Sequence, residues 1–306
     1  MKQIRIGMSG WTHDCWRNQF YPKGLPRTKE LEYASRQVTS IEVNGTFYGL
    51  QKPKTFQRWY NETPADFLLA LKAPQFITHT LRLRECEEPL STFLASGPLC
   101  LNEKLGPILW QFPPYMTLKD NRFEEFAKIL PHDTQTAAEL SKGHSVRIKD
   151  HAWTQSNGNH RMRHAFEFRH PSFMNPTFIE MLKAYGIAVV FADSGKTSPY
   201  CEDLTSDFVY LRMHCATPAH KKGYPLAFLK NLVKKIETWN SGQQVEKAQT
   251  VSEGAPKSGE KEIFVYFDND VTETAPLDAL RLIKLMNKAL GQKTASPASE
   301  KKTAAA

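Results

Sequence analysis

Charged residues stand in this sequence where an alternating strand would be sheltered from water. In the run AFEFR, residues 165–169, Phe166 and Phe168 point to one face and Glu167 and Arg169 to the other, because successive strand side chains alternate. A carboxylate and a guanidinium on a sheltered face are costly unless they pair with each other or bind a ligand. The run therefore predicts either acid–base or anion-binding chemistry, or a structural ion pair.

Polar side chains also end the other predicted strands. The residues that we predict to be catalytic are Glu42, Lys72, Glu167, Arg169, Asp193, Arg212 and His214. The residues that we predict to contact a ligand are Trp11, Asn44, Thr46, Tyr48, His79, Gln111, Asp268 and Asn269. The cations suit an anionic ligand, whereas the structural alternative is that the acidic residues only neutralise them.

Eight short apolar runs are the elements that must position these residues. They cover residues 4–9, 40–44, 67–73, 107–112, 165–169, 187–193, 208–214 and 263–269. Most intervals have a helical pattern, as in Leu226, Leu229, Val233 and Ile236. Strands that alternate with helices indicate a parallel sheet, and eight such units fit a (β/α)₈ TIM barrel, whose catalytic groups lie at the carboxyl ends of the strands.

One unit of this barrel is predicted to be degenerate. The interval between strands six and seven, residues 194–207, is too short and too rich in turn-forming residues for a full helix. A doubly wound sheet is the alternative fold, but no first turn has the G-x-G-x-x-G or P-loop pattern that usually accompanies it. We therefore predict one barrel domain over residues 1–290.

Two polar segments of low complexity are predicted to lack a fixed structure. Residues 241–262 form a flexible inserted loop and residues 291–306 a disordered tail, because neither segment can bury enough apolar surface to offset the entropy of ordering.

Composition indicates an ordinary globular chain of the cytoplasm. The 306 residues are 41% hydrophobic and 24% charged, and the five cysteines are scattered, which argues against a disulfide framework. No signal-like segment and no run of about 18 apolar residues occurs, so no membrane association is predicted. The formal net charge of +8 includes a basic stretch over residues 143–164, which usually serves solubility and otherwise binds nucleic acid.

Six strand-end motifs together resemble the YecE-like family, a domain of unknown function that is the seventy-second of its list. In chain order they read SGWTHDCW, EVNGTFYGL, LKAPQFITH, KLGPILWQFPP, EFRHPSF and YLRMHC. The resemblance implies a TIM barrel and no established reaction. The chain departs from the family pattern at Cys215, where a glycine is usual, at Asp268, where the first of two asparagines is common, and at Phe173, often tryptophan.

Metal binding is weighed against the same cations. Acidic residues and histidines are present, but no H-x-H or H-E-x-x-H spacing occurs, and the cations Lys72, Arg169 and Arg212 compete for the carboxylates. We predict neither a cofactor nor a metal, and a divalent cation is the alternative that the acidic residues leave open.

The function predicted from these residues is an enzyme that acts on a phosphate-bearing substrate, such as a nucleotide or a nucleic-acid strand. Three strand-end cations hold the anion, namely Lys72, Arg169 and Arg212. Glu167 or Asp193 serves as general base and His214 carries a proton.

Two alternatives belong to other classes. A non-catalytic nucleic-acid-binding barrel would use the same cations with the basic stretch, and a carbohydrate-active enzyme would use Glu42 and Glu167 as a carboxylate pair. The predicted partner is therefore an anionic small molecule or a nucleic acid. The oligomeric state does not follow from the sequence.

Overall fold

The computed structural model describes residues 2–195, 198–214, 223–268 and 274–291. Eight parallel strands close into a barrel in chain order, each paired with the next and β8 with β1. The strands are β1 (Ile4–Ser9), β2 (Ser40–Val43), β3 (Leu68–Lys72), β4 (Leu105–Gln111), β5 (His164–Glu167), β6 (Ala188–Asp193), β7 (Phe208–Met213) and β8 (Glu262–Phe267). The predicted TIM barrel is confirmed.

Helices fill most intervals between the strands. They are α1 (Glu30–Ala34), α2 (Gly45–Tyr48), α3 (Pro53–Glu62), α4 (Glu87–Ala95), α5 (Arg122–Ile129), α6 (Thr134–Ser141), α7 (Pro176–Ala184), α8 (Leu226–Asn240) and α9 (Ala275–Ala289). Between β6 and β7 the described residues contain no helix, which confirms the degenerate unit. No described helix is long and apolar enough to cross a membrane.

The apolar core has two parts because strand side chains alternate. Residues such as Ile41, Phe166 and Leu211 point outward and pack against the helices. A smaller cluster that includes Ala70, Leu109 and other small or aromatic side chains fills the inside of the barrel. Polar residues complete this interior toward the carboxyl ends of the strands, and they include several of the residues predicted to do chemistry.

Gly7 allows β1 and β2 to approach closely at the base of this interior. It pairs with Ser40, and a Cβ atom at position 7 would lie 1.7 Å from the Ser40 carbonyl oxygen. The Ser40 hydroxyl in turn bonds to the Tyr266 hydroxyl at 2.7 Å. A side chain at position 7 would therefore separate the two strands on which Ser9 and Glu42 stand.

The segment predicted to be a flexible loop, residues 241–262, is largely irregular and makes long-range hydrogen bonds, and its flexibility stays a prediction. The Asp203 carboxylate, in the β6–β7 connection, accepts hydrogen bonds from the backbone N–H groups of Val251 (2.8 Å) and Ser252 (3.0 Å). The Gln244 side chain donates to the Glu202 carbonyl oxygen at 2.7 Å. These hydrogen-bond partners lie far away in the sequence, so local composition could not indicate them. The last residue of the predicted loop, Glu262, belongs to β8. Of the predicted tail, residues 292–306 lie outside the described residues.

Candidate functional site

A layer of polar side chains closes the barrel interior at the carboxyl ends of the strands. Every strand except β6 contributes a residue within one position of its end, and β6 instead places Ala192 in the interior. The layer consists of Ser9, Glu42, Lys72, Gln111, Glu167, Arg212 and Asp268. Four of the residues predicted to be catalytic, Glu42, Lys72, Glu167 and Arg212, thus lie in one layer.

Arg212 is the centre of this layer and has no solvent exposure. Its Nε and Nη2 atoms donate to the two oxygens of Glu42 at 3.1 and 2.9 Å, and its Nη1 atom donates to Glu167 Oε2 at 2.7 Å. Nη2 also donates to Asp268 Oδ2. Burial opposes the charge, but these three carboxylates hold the pKa of Arg212 well above its ordinary value. The guanidinium is thus satisfied by the protein itself.

Glu42 is equally satisfied. Besides Arg212 it accepts a hydrogen bond from the Ser9 hydroxyl at 2.6 Å and one from the Tyr210 hydroxyl at 2.6 Å. Sequence reasoning missed Ser9 and Tyr210 as members of the site. Ser9 ends β1, and Tyr210 precedes Arg212 by two residues and therefore shares its face, so both signals were present.

Glu167 and Asp268 are held ionised by the cations around them. Burial works to raise the pKa of the Glu167 carboxyl, but Arg212, followed by His214 and Arg169, outweighs it and holds that pKa well below its ordinary value. Burial likewise opposes the charge of Asp268, whose pKa Arg212 keeps low. Glu167 also accepts from Gln111 at 2.8 Å. A carboxylate with a depressed pKa is a poor proton acceptor at neutral pH.

Lys72 differs from Arg212 in that its charged group has no polar partner among the described residues. Its side chain is buried, with 8% of the residue exposed, and its ammonium lies 4.1 Å from the centroid of the Phe47 ring. Among the described residues no hydrogen bond or ion pair to its Nζ atom is made. Burial, and then the neighbouring Arg212, lowers the pKa of Lys72. The three N–H donors of the Lys72 ammonium therefore have no acceptor among the described residues. They lie at the mouth of the barrel, which is the opening at the carboxyl ends of the strands.

Arg169 and two histidines lie around Lys72. Arg169 donates from Nε to Glu167 Oε1 at 3.1 Å, with its side chain 35% exposed. His79 packs edge-on against Phe47, and burial, then Lys72, lowers its pKa. Burial, then Arg212, also lowers the pKa of His214. Its buried Nε2 atom has no hydrogen-bond partner among the described residues.

Other predicted residues are placed apart from this cluster. Asp193 follows Ala192 and therefore faces outward, where it accepts a hydrogen bond from the Tyr224 hydroxyl at 2.7 Å. Asp193, which we predicted to be catalytic, therefore lies outside the layer that contains Glu42 and Glu167. Trp11 packs against Trp59.

Two residues that follow β2 support the site. The Thr46 hydroxyl donates to the carbonyl oxygens of Val43 and Lys72, at 3.0 and 2.7 Å, and so ties the ends of β2 and β3 together. The Asn44 Oδ1 atom is buried without a partner among the described residues. Asn269 lies outside the described residues.

Tyr48 lies beside the mouth on an open groove. The groove has a cavity volume of about 1290 Å³ and is also lined by Phe47 and Phe76. Tyr48 is 74% exposed, and Phe47 separates this groove from the Lys72 ammonium, since its ring contacts both sides. Tyr48 thus lies on the groove side of Phe47, away from the Lys72 ammonium.

The basic stretch over residues 143–164 is divided between two ends of the barrel. Arg161 is paired with Asp207, and Arg163 with Glu262 at 2.7 Å. These two arginines precede β5, at the end opposite the mouth. Arg147 instead lines the groove, so only part of the stretch can support ligand binding near the site.

The described residues contain no group of three or more His, Cys, Asp or Glu side chains arranged to hold a metal ion. The carboxylates of the layer are directed at Arg212. The prediction that no metal or cofactor is used stays a prediction.

Comparison with known proteins assigns the chain to a family. The family model described as "Protein of unknown function DUF72" matches residues 5–303, and the chain belongs to this family. The chain is 36% identical over 111 residues to UPF0759 protein YecE of Escherichia coli (strain K12), which covers 36% of this chain and 38% of that protein. It is 32% identical over 122 residues to UPF0759 protein YunF of Bacillus subtilis (strain 168), which covers 38% and 42%. The chain thus spans about two fifths of the length of these curated relatives.

Solved structures share the fold. A DUF72 family protein from Thermotoga maritima MSB8 matches with a TM-score of 0.67 and 22% identity, covering 93% of this chain and 99% of that chain. A DUF72 family protein from Enterococcus faecalis V583 matches with a TM-score of 0.63 and 17% identity, covering 93% and 96%. The YecE-like resemblance is confirmed, and the structural matches concern the fold alone.

Proposed function

We propose that the chain is an enzyme that acts on a phosphate-bearing substrate at the carboxyl end of the barrel. The observation that carries this proposal is a pair of cations around one mouth that keep unpartnered donors: Lys72 Nζ and the two Nη atoms of Arg169 have no hydrogen-bond partner among the described residues. Lys72 is 8% exposed and the Arg169 side chain 35%, and a phosphate supplies several charged acceptor oxygens to such donors at once.

The division of roles differs from that expected from sequence. Arg212 is occupied by carboxylates, so it positions the site and does not bind the anion directly. Arg169 is the most exposed of the three cations and offers a planar pair of Nη donors suited to a phosphate. The group that accepts or donates a proton is a histidine, His214 or His79, because their lowered pKa values leave them neutral near pH 7.

The alternatives fit this geometry less well. A carbohydrate-active enzyme needs one protonated carboxyl group, whereas the low pKa of Glu167 keeps it ionised and Glu42 is engaged by Arg212, Ser9 and Tyr210. A nucleic-acid-binding barrel would draw on the basic stretch, but its Arg161 and Arg163 are paired at the far end.

Anion titration tests the proposal. Calorimetric titration of the protein with inorganic phosphate and with sulfate should show binding that weakens at least about tenfold in the Arg169→Gln variant, the loss of one charge-assisted contact. Arg147→Gln is the matched control, since Arg147 lines the groove and not the mouth. An unliganded wild-type protein, or equal affinity in both variants, would contradict the proposal. Release of phosphate from a panel of phosphate esters, lost in His214→Asn while anion binding persists, tests the catalytic part.

A further inference from the structure

Lys72 differs from the other buried lysines of the described chain. Lys104 is 4% exposed and donates from Nζ to the carbonyl oxygens of Tyr60 (2.6 Å) and Thr63 (2.8 Å). Lys261 is fully buried and donates to the carbonyl oxygens of Lys257, Ser258 and Gly259. Each of these two ammonium groups has the acceptors that a buried charge requires. Lys72, at 8% exposure, has none among the described residues.

The carboxylates near Lys72 do not compensate for this. Glu42, Glu167 and Asp268 all exert a favourable field on the ammonium, but their oxygens are directed at Arg212. The Nζ atom lies 4.1 Å from the centroid of the Phe47 ring, which offers no proton acceptor of its own. A lysine that is desolvated and lies beside another cation is in the environment that activates the amine as a nucleophile.

We propose that Lys72 is the nucleophile of the site and forms an imine with an aldehyde or ketone group, so that the substrate is a phosphate-bearing carbonyl compound. This inference rests on the proposed function for the phosphate. In the step, the Nζ lone pair attacks the carbonyl carbon and the N–C bond forms as the C=O π bond breaks. The oxygen then leaves as water with the two hydrogens of the neutral amine, which gives a neutral imine, and the charged imine forms when its nitrogen takes up one proton from the solvent.

Depth within the mouth assigns the two groups of the substrate. The Arg169 side chain is 35% exposed and holds the phosphate at the rim, whereas Lys72 is 8% exposed and lies deeper, within the layer that contains Arg212. A protonated imine keeps the positive charge of the ammonium, so the field at the phosphate is preserved during the reaction. The lowered pKa of Lys72 increases the fraction of neutral amine near pH 7, by about tenfold for each pKa unit.

Reductive trapping tests the inference on the full chain. The protein is incubated near neutral pH with glycolaldehyde phosphate, or with glycolaldehyde, in the presence of sodium cyanoborohydride, and each lysine is quantified by peptide mass spectrometry. The adduct on Lys72 should exceed that on the exposed Lys54 by at least about tenfold. Lys104 is the matched internal control, because it is buried but satisfied and should stay unmodified. The Lys72→Arg variant should lose the adduct.

The outcomes separate this inference from the proposed function. Preferred labelling of Lys72 by glycolaldehyde phosphate, with protection by inorganic phosphate, supports both. Equal labelling of Lys72 by the two aldehydes, without protection, supports the nucleophile and overturns the phosphate site. An unlabelled Lys72 in a protein that binds phosphate overturns the nucleophile alone, and an unlabelled Lys72 without phosphate binding overturns both.

Discussion

Arg212 on β7 and Glu42 on β2 share two hydrogen bonds inside the barrel, from Nε to Oε2 at 3.1 Å and from Nη2 to Oε1 at 2.9 Å. Neither side chain is exposed. The pair joins two strands that are not neighbours, and Glu167 on β5 extends it across the interior. The structural ion-pair alternative therefore describes Arg212, whereas Lys72 Nζ and the two Nη atoms of Arg169 have no hydrogen-bond partner among the described residues.

Replacing Glu42 with Gln should lower the free energy of unfolding by about 3 kcal/mol. The amide presents one acceptor oxygen where the carboxylate presents two, so Arg212 and one of the hydroxyl donors, Ser9 or Tyr210, lose an acceptor. Urea denaturation measures the change. The Asp14→Asn variant, which removes an exposed pair with Arg27, should shift the same quantity by less than about 1 kcal/mol. Equal effects of the two substitutions would show that the buried pair does not stabilise the barrel.

Acid should destabilise the protein through Glu167 and Asp268. The pKa values of both carboxyls lie below their ordinary values of 4.5 and 3.8 in the folded state, so their ionisation stabilises the fold above those values. This contribution is lost as the pH falls below them, because protons then bind the unfolded chain preferentially. In Glu167→Gln the free energy of unfolding should fall less steeply between about pH 6 and about pH 3. Urea denaturation at several pH values measures this free energy for the wild-type protein and for Glu167→Gln. The same dependence on pH in both proteins would rule out this linkage.

The alternation of side chains along each predicted strand was sufficient to predict most of the polar layer. Glu167 and Arg169 alternate with Phe166 and Phe168 in the sequence. The period of a strand therefore places the two charged side chains on the face opposite the two rings. Asp193 was misplaced because its strand is apolar on both faces: Val190 and Ala192 point inward and Phe191 outward, and nothing in their types distinguishes the two sides. A parallel strand that is buried on both faces has apolar residues on both, so its sequence does not indicate which side chains point into the barrel.

The partner that each charge selects could not be predicted either. Three cations and several carboxylates allow many pairings of similar cost, and the choice depends on distances across the barrel, set by strands far apart in sequence. The same holds for the segment after α8, whose composition indicates disorder. Its backbone amides are satisfied by Asp203, which lies almost fifty residues earlier in the chain.

Replacing Asp203 with Ala should destabilise the protein by about 1 to 3 kcal/mol, because the backbone N–H groups of Val251 and Ser252 lose their acceptor. Thermal unfolding measures the loss. Glu253→Ala changes an exposed residue of the same segment and should leave the melting temperature nearly unchanged. If a Gly/Ser linker in place of residues 243–258 left the melting temperature unchanged, the segment would be a dispensable loop after all.

Replacing Lys72 with Met should leave the free energy of unfolding unchanged or raise it by up to about 1 kcal/mol, since a buried charge without a polar partner is replaced by an apolar chain of similar length. Lys104→Met is the matched variant, because Lys104 also lies over a ring, that of Tyr60, at 4.3 Å, yet bonds to two carbonyl oxygens. It should lose about 2 kcal/mol, the cost of leaving buried acceptors unsatisfied. Urea denaturation measures the free energy of unfolding of the two variants.

If Lys72→Met were destabilised as strongly as Lys104→Met, the Lys72 ammonium would be a structural cation that the field of Glu42, Glu167 and Asp268 requires. If Lys72→Met is as stable as the wild-type protein, then folding does not account for a lysine at this position, and binding or catalysis must.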